Sequence, residues 1–281
     1  MSRNLAASIR DRLKRRADAL QQDFNLTLTH YGLERLLHRL SISPHADNYL
    51  LKGALLFSLW YDQPHRPTRD ADLLGLRPGD VDSAISAFRD ICQISVADGI
   101  AFDPRSVRGS VIRKELGYGG VRIDLLARLD GARIALQVDI GFGDAVTLAP
   151  DSVRYPVLLE GLPAPQLRSY PKCTAVAEKF HALCLLGMAN TRMKDYFDLW
   201  ILLGGDGLEA GDLRRAIEAT FARRQSAMPA TLPIGLSDGF AGDPTKQRQW
   251  TAFLKKNRLQ ALGLAEVVAL LRREFQKLGV A

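Results

Sequence analysis

Asp70 and Asp72 stand one residue apart in the stretch RPTRDADLLG, residues 66–75, between arginines and an apolar tail. In a β-strand, residues i and i+2 share a face, so these carboxylates would lie side by side. Like charges that close raise each other's pKa unless a cation sits between them. The pair therefore reads either as a divalent-cation site or as a solvated turn neutralised by Arg66 and Arg69. Upstream, Lys52-Gly53-Ala54 closes an apolar run and opens what reads as a helix. Helix N-termini carry unpaired N–H groups and partial positive charge, and glycine lets the backbone approach a ligand closely. Phosphate cradle, helix, then paired carboxylates is an order that suits nucleotide chemistry with Mg²⁺, which takes one or two carboxylates plus phosphate oxygens. Such a site calls for a third carboxylate from a neighbouring strand. Asp139 in LQVDIGFGD and Asp124 in VRIDLL are the two choices. Asp139 is preferred, because glycines crowd its C-terminal side and leave room for a ligand; for either, the alternative is a strand-end residue facing solvent.

Further on, PKCTAVAEKFHALCLLGM places Val176, Phe180, Leu183 and Leu186 along a buried stripe, with Lys179 beside it. The residues one turn away from Lys179, Ala175 and Leu183, are not acidic, so it lacks a local helix partner and reads as a point charge for a triphosphate. Asp195 falls near the start of the next helix, where the helix dipole alone favours a carboxylate. His181 reads as a core residue. Arg69 either contacts phosphate or balances the aspartates. Thr68 precedes Asp70 by two, so alternation puts its hydroxyl on the carboxylate side; a phosphate there would add about −1.5 to −2 charges and repel a triphosphate. Thr68 is therefore a candidate regulatory residue, with capping of the turn after Pro67 as the plainer alternative.

The elements that must hold these residues read as follows. Residues 1–45 form N-terminal helices, the second with Tyr31, Leu33, Leu36, Leu37 and Leu40 along one side. Residues 46–150 form a mixed core: a short apolar strand, a compact helix over ALLFSLWYD, the DADLLG strand, and a helix with Asp80 as N-cap and Val81, Ile85, Phe88 and Ile91 at helical period. From about residue 100 the period falls to two, with GYGG and Asp130-Gly131 as hairpin turns. Proline-rich residues 151–171 read as a linker, and 172–281 as a helical domain. The class is α+β, with helical additions at both ends of a mixed-sheet core.

With 281 residues, 47% hydrophobic and 25% charged, the chain has the composition of a globular protein. No apolar run approaches the ~20 residues of a membrane span, and the N-terminus lacks the apolar stretch of a signal peptide. Three scattered cysteines suggest a reducing compartment and a cytoplasmic location, and none has zinc-ligand spacing with confirming neighbours. A net charge of +7 points towards a polyanionic partner.

The segment LKGALLFSLWYDQPHRPTRDADLL resembles the first motif of the AbiEii/AbiGii-type nucleotidyltransferase toxins, which are similar to MenT proteins and belong to the polymerase-beta-like superfamily. LQVDIGFGDAV resembles the strand carrying their third acidic residue, and AEKFHALCLLGMANTRMKDYFDLW their C-terminal signature. The three motifs fall in the family's order over roughly residues 46–200. The resemblance implies a toxin of a bacterial toxin–antitoxin pair that moves a nucleoside monophosphate from an NTP to an RNA acceptor, the tRNA 3′ end in MenT-type members. It implies Mg²⁺ and triphosphate on Asp70 and Asp72, help in deprotonating the attacking hydroxyl from Asp139, and charge balance at the leaving pyrophosphate from Lys179. Lys52, Gly53, Ala54 and Arg69 would line the nucleotide. Asp195 would orient Lys179, and Asp198 would share that role or pair with Lys194. The basic stretches RDRLKRR and KKNR would steer the RNA, and an antitoxin protein would be the partner. One departure is Gly53-Ala54 where the superfamily has Gly-Ser, which implies a change in affinity or nucleotide choice. Alternatives are transfer to a protein or small molecule, a non-catalytic nucleic-acid-binding relative, and a metal-dependent nuclease, which would need no phosphate-cradling turn.

Overall fold

The computed structural model describes residues 3–61, 66–113 and 119–280. In chain order the helices are α1 (Arg3–Ala19), α2 (Phe24–Ser41), α3 (Phe57–Trp60), α4 (Val81–Gln93), α5 (Lys172–Leu186), α6 (Met193–Gly204), α7 (Ala210–Arg223), α8 (Asp238–Gly242), α9 (Pro244–Asn257) and α10 (Leu264–Lys277). The strands are β1 (Tyr49–Lys52), β2 (Asp70–Gly75), β3 (Ile100–Arg113), β4 (Gly119–Leu129), β5 (Ala132–Phe142), β6 (Asp151–Arg154) and β7 (Gln166–Ser169). The chain falls into two compact units, Met1–Gly143 with Pro150–Ser169, and Asp144–Ala149 with Tyr170–Ala281.

The first unit holds a seven-stranded mixed sheet in the order β3-β4-β5-β2-β1-β7-β6. β2 runs parallel to β5, and β1 parallel to β7; the other neighbours are antiparallel. The register of β4 and β5 is set at Asp130-Gly131, where both residues have positive φ, as a two-residue type I′ hairpin requires. The GYGG turn expected between β3 and β4 lies largely outside the described residues. One face of the sheet is covered by helices. A Cβ at Gly109 would meet Val81 and Ile85 of α4, and one at Gly32 of α2 would meet Leu136 and Ile134 of β5. Ala71, Leu73, Val138, Ile140, Val121 and Ile123 point the same way by alternation and are buried.

Three expectations change. The proline-rich residues 151–171 are not a linker: β6 and β7 pair antiparallel there and continue the sheet from β1. Pro156, Pro163 and Pro165 lie in the connection between the two strands, where they remove no ladder donor. Helix α2 is not one-sided. It is buried almost continuously from Thr27 to Leu40, because the segment after β6 closes over its outer side. Leu158 N–H donates to Glu34 at 2.6 Å, and Arg35 donates to the Pro163 carbonyl at 2.9 Å. On the inner side Arg39 makes a bidentate pair with fully buried Asp98, at 2.7 and 3.0 Å, so the buried charges cancel. The compact helix over ALLFSLWYD is shorter than read, a 3₁₀ turn at Gly53–Leu56 running into α3.

The second unit is helical. Phe180 of α5 stacks on Phe275 of α10 with ring centroids 4.0 Å apart, and Val176, Phe180 and Leu183 are fully buried. His181 is 2% exposed, as a core residue should be. Its Nδ1 accepts from Arg224 at 3.2 Å, so Nε2 carries the proton and donates to Ser226 Oγ at 2.7 Å. Burial and the Arg224 charge push its pKa down to about 4. A folded-state pKa below the unfolded value means stability that is present above pH ~6.5 and lost as pH falls towards 4, up to about 3 kcal/mol. Thermal unfolding followed between pH 7 and 4.5 should show a falling Tm, and the fall should be shallower in His181→Gln. Equal slopes in the two proteins would show that His181 is not the titrating group.

Candidate active site

β2 is an interior strand, yet it begins with two acids. Asp70 and Asp72 are half-buried on the face opposite Ala71 and Leu73, hence opposite α2 and α4. Parallel pairing sets Asp72 directly beside Asp139 and Asp70 beside Gln137. Extending the first pair across the sheet, Arg122 of β4 is in register with Asp139, and Lys52 of β1 with Asp72. One transverse row therefore reads Arg122, Asp139, Asp72, Lys52: cation, two anions, cation. Neighbouring strands are only ~4.8 Å apart, so the two inner charges face strong repulsion, and the outer pair offsets it.

The row is tied by specific bonds. Arg122 grips Asp139 bidentately, Nε to Oδ1 and Nη2 to Oδ2, both at 2.8 Å. The same bonds hold the guanidinium above its ordinary pKa. Asp124, the other choice for the third acid, is exposed, in register with Gln137, and one strand farther from Asp72. At the other end, Gly53 has φ +76°, and a Cβ there would come within 2.7 Å of the Cβ and Cγ of Asp72. The glycine is needed because the Asp72 carboxylate lies against its Cα. Ala54 beside it is buried, and Lys52 is 6% exposed.

Asp70 is set by the loop before β2. Thr68 is buried, and its hydroxyl donates to Asp70 Oδ1 at 2.6 Å, not to the turn. The Thr68 carbonyl accepts from His30 Nε2 of α2 at 2.7 Å. Burial pushes the His30 imidazole below its ordinary pKa, which favours the neutral ring that donates this bond. Arg69 is exposed and makes no ion pair among the described residues. His30 and Arg122 were not anticipated from sequence. Counting the β4–β5 register back from Asp130-Gly131 would have found Arg122; His30 had no sequence signal.

The second unit holds the remaining predicted residues. Lys179 of α5 donates to Asp195 at 3.2 Å and to Asp198 at 2.8 Å, both on α6 and fully buried. Arg192 adds an ion pair to Asp195 at 2.7 Å. Asp198 thus takes Lys179, and Lys194 makes no ion pair among the described residues. Two buried carboxylates and two cations leave this cluster neutral.

Among the described residues, no three histidine, cysteine, aspartate or glutamate side chains converge as a metal-ligand cluster. The donors that suit a hard divalent cation are the Asp70–Asp72 pair, which needs ligand oxygens to complete a coordination shell. Asp139 has both oxygens on Arg122.

Comparison with solved structures returns neighbours at low sequence identity. A Helicobacter pylori protein described as a candidate nucleotidyltransferase superposes with a TM-score of 0.50 at 16% identity, covering 89% of this chain and 92% of that one. JHP933 from Helicobacter pylori gives a TM-score of 0.48 at 16% identity, with 88% of each chain covered. A search of curated proteins returns no match. The family model "Nucleotidyl transferase AbiEii toxin, Type IV TA system" matches residues 35–269. The chain belongs to the AbiEii nucleotidyltransferase toxin family.

Two substitutions test the geometry. Gly53→Ala should displace the Asp72 carboxylate and cost on the order of 100-fold in any reaction that depends on it, with the fold retained by circular dichroism. Lys179→Met leaves the buried carboxylate cluster one cation short and should destabilise the protein by roughly 3–5 kcal/mol in urea unfolding. Stability unchanged in Lys179→Met would mean the cluster is not held by that ammonium.

Proposed function

We propose that this protein transfers a nucleoside monophosphate from an NTP to an RNA acceptor, the tRNA 3′ end, with Mg²⁺ bound by Asp70 and Asp72. Family membership supplies the nucleotidyl transfer, the toxin–antitoxin setting and the antitoxin partner. The observation that carries the rest is the juxtaposition of Asp72, Asp139 and Asp70 on one sheet face beside the Gly53 backbone. No helix among the described residues is long and apolar enough to cross a membrane; a cytoplasmic location is part of the proposal.

In this reading the acceptor hydroxyl oxygen forms a bond to the α-phosphorus as the bond to the β-phosphate bridging oxygen breaks, and pyrophosphate leaves. When bound, Mg²⁺ would supply charge for the triphosphate and lower the pKa of the attacking hydroxyl. Asp70 and Asp72 hold it, and Thr68, itself fixed by His30, holds Asp70. Asp139 takes the hydroxyl proton once Arg122 releases one of its oxygens. Lys52, Gly53, Ala54 and Arg69 take the nucleotide, and Lys179, steadied by Asp195 and Asp198, is assigned the charge of the leaving pyrophosphate. With its hydroxyl already spent on Asp70, Thr68 reads first as a positioning residue. As a regulatory site, it would unseat that carboxylate when phosphorylated.

Incubation with each radiolabelled NTP and bulk tRNA should label the tRNA, and Asp70→Asn should abolish labelling while leaving the melting temperature within a few degrees. Expression of the wild type, and not of Asp70→Asn, should inhibit growth. Label appearing on protein, or RNA shortened instead of extended, would replace the acceptor or the reaction in this proposal.

A further inference from the structure

Edge strand β3 carries a feature that the transfer reaction does not use. Its register against β4 shifts between Asp103 and Arg108, and the shifted segment lies beside helix α4. The two enclose an open groove of about 740 Å³. Ile85, Pro104 and Val107 make an apolar floor, and Arg89, Arg105 and Arg108 rim it against one carboxylate, Asp103. All three arginines are exposed, and none forms an ion pair among the described residues. Asp103 turns one oxygen to the Arg105 N–H. Arg108 is pinned across the bulge by bonds to the carbonyls of Arg105 and Val107, at 2.7 and 3.0 Å, so its guanidinium is pre-positioned.

The basic stretch of α1, expected to steer RNA, is different. Lys14 pairs with Asp18, Arg15 with Asp11 and Arg10 with Asp130, and Arg12 donates to the Glu160 carbonyl. Those charges are largely met within the fold. The groove's are not. Its position also matters: α4 and Arg89 lie on the other face of the sheet, so the groove opens at the β3 edge, and from there Arg108 is in register with Asp124, Asp124 with Gln137, and Gln137 with Asp70, which puts Arg108 and Asp70 on one face, three strands apart. At ~4.8 Å per strand that is about 14 Å, or about four nucleotides at a stacked spacing of ~3.4 Å. Asp124 is exposed on this path, and Arg122 stands beside it.

We infer that the α4–β3 groove binds the sugar–phosphate backbone of the RNA acceptor a few nucleotides from the end presented to Asp70. This rests on the RNA reading above and specifies where that RNA lies. Guanidinium forks suit phosphate oxygens, and such contacts give affinity that falls with salt.

The test is Arg89→Gln/Arg105→Gln, which leaves the bulge-pinning Arg108 in place, with Arg108→Gln as a separate variant. Fluorescence anisotropy of end-labelled bulk tRNA between 50 and 300 mM salt should show affinity reduced on the order of tenfold or more in the double variant. The slope of log K against log salt should be shallower by about 1 to 2. ATP and GTP binding should be unchanged. A double variant that binds tRNA within twofold of wild type, with the same slope, overturns the groove and leaves the RNA reading standing. Wild-type protein that neither binds nor labels tRNA removes the RNA reading and the groove with it. Unchanged tRNA affinity with lost neutralisation by the antitoxin reassigns the groove to a protein partner and overturns this proposal.

Discussion

Parallel pairing of β2 with β5 forces Asp72 and Asp139 into adjacent positions on one face, and the rest of the first unit is arranged around that adjacency. Two carboxylates a strand spacing apart would ordinarily drive one another towards protonation. Here the same transverse row continues into Arg122 on one side and Lys52 on the other, so the sheet itself interleaves the charges. The row is thus balanced by its own cations. It also explains why acids are tolerated on an interior strand: Ala71 and Leu73 meet the need for burial on the helix-covered face, and the polar row takes the other.

The two sets of acidic residues differ in kind. Asp70, Asp72 and Asp139 are half-buried, and the first two are held by a hydroxyl and by a glycine Cα. Such residues tolerate a neutral replacement, because removing the charge relieves repulsion. Asp195 and Asp198 are fully buried around Lys179 and Arg192, and breaking that cluster leaves an uncompensated charge in a low-dielectric interior. A loss of activity on changing Lys179 therefore carries a folding component that a loss on changing Asp70 does not, and the two should not be read on one scale.

Much of this was legible in the sequence because it depends on short-range rules. The i, i+2 spacing of DADLL gave the shared face, and Asp130-Gly131 gave the hairpin. From that turn the register follows by counting seven residues beyond Leu129 and Ala132 in each direction, which lands on Arg122 and Asp139. The pairing was thus available, and it also separates Asp139 from Asp124. What stayed hidden depends on long-range packing. Prolines at 156, 163 and 165 mask two strands that pair only because β1 offers an edge. The apolar stripe of α2 gives no hint that Glu34, Arg35 and Arg39 are buried too, since the distant partners Asp98, Leu158 and Pro163 lie between 59 and 128 residues away. His30 belongs to the same class: its contact with Thr68 spans 38 residues and follows no motif.

The departure at Gly53-Ala54 can be placed in the same physical terms. Gly53 is fixed by the protein itself, because the space its Cβ would fill is occupied by Asp72. A change there would fail whatever the nucleotide. Position 54 is under a different constraint: the Ala54 methyl is buried against the fold. A serine hydroxyl in that place would need a hydrogen-bond partner, from a ligand or from a neighbour, to offset its desolvation. Alanine removes that requirement, and in the proposed function the backbone N–H groups that follow Gly53 would meet the phosphate. The motif's glycine is therefore a structural necessity of the carboxylate it packs against, whereas its second residue is open to exchange for another small side chain.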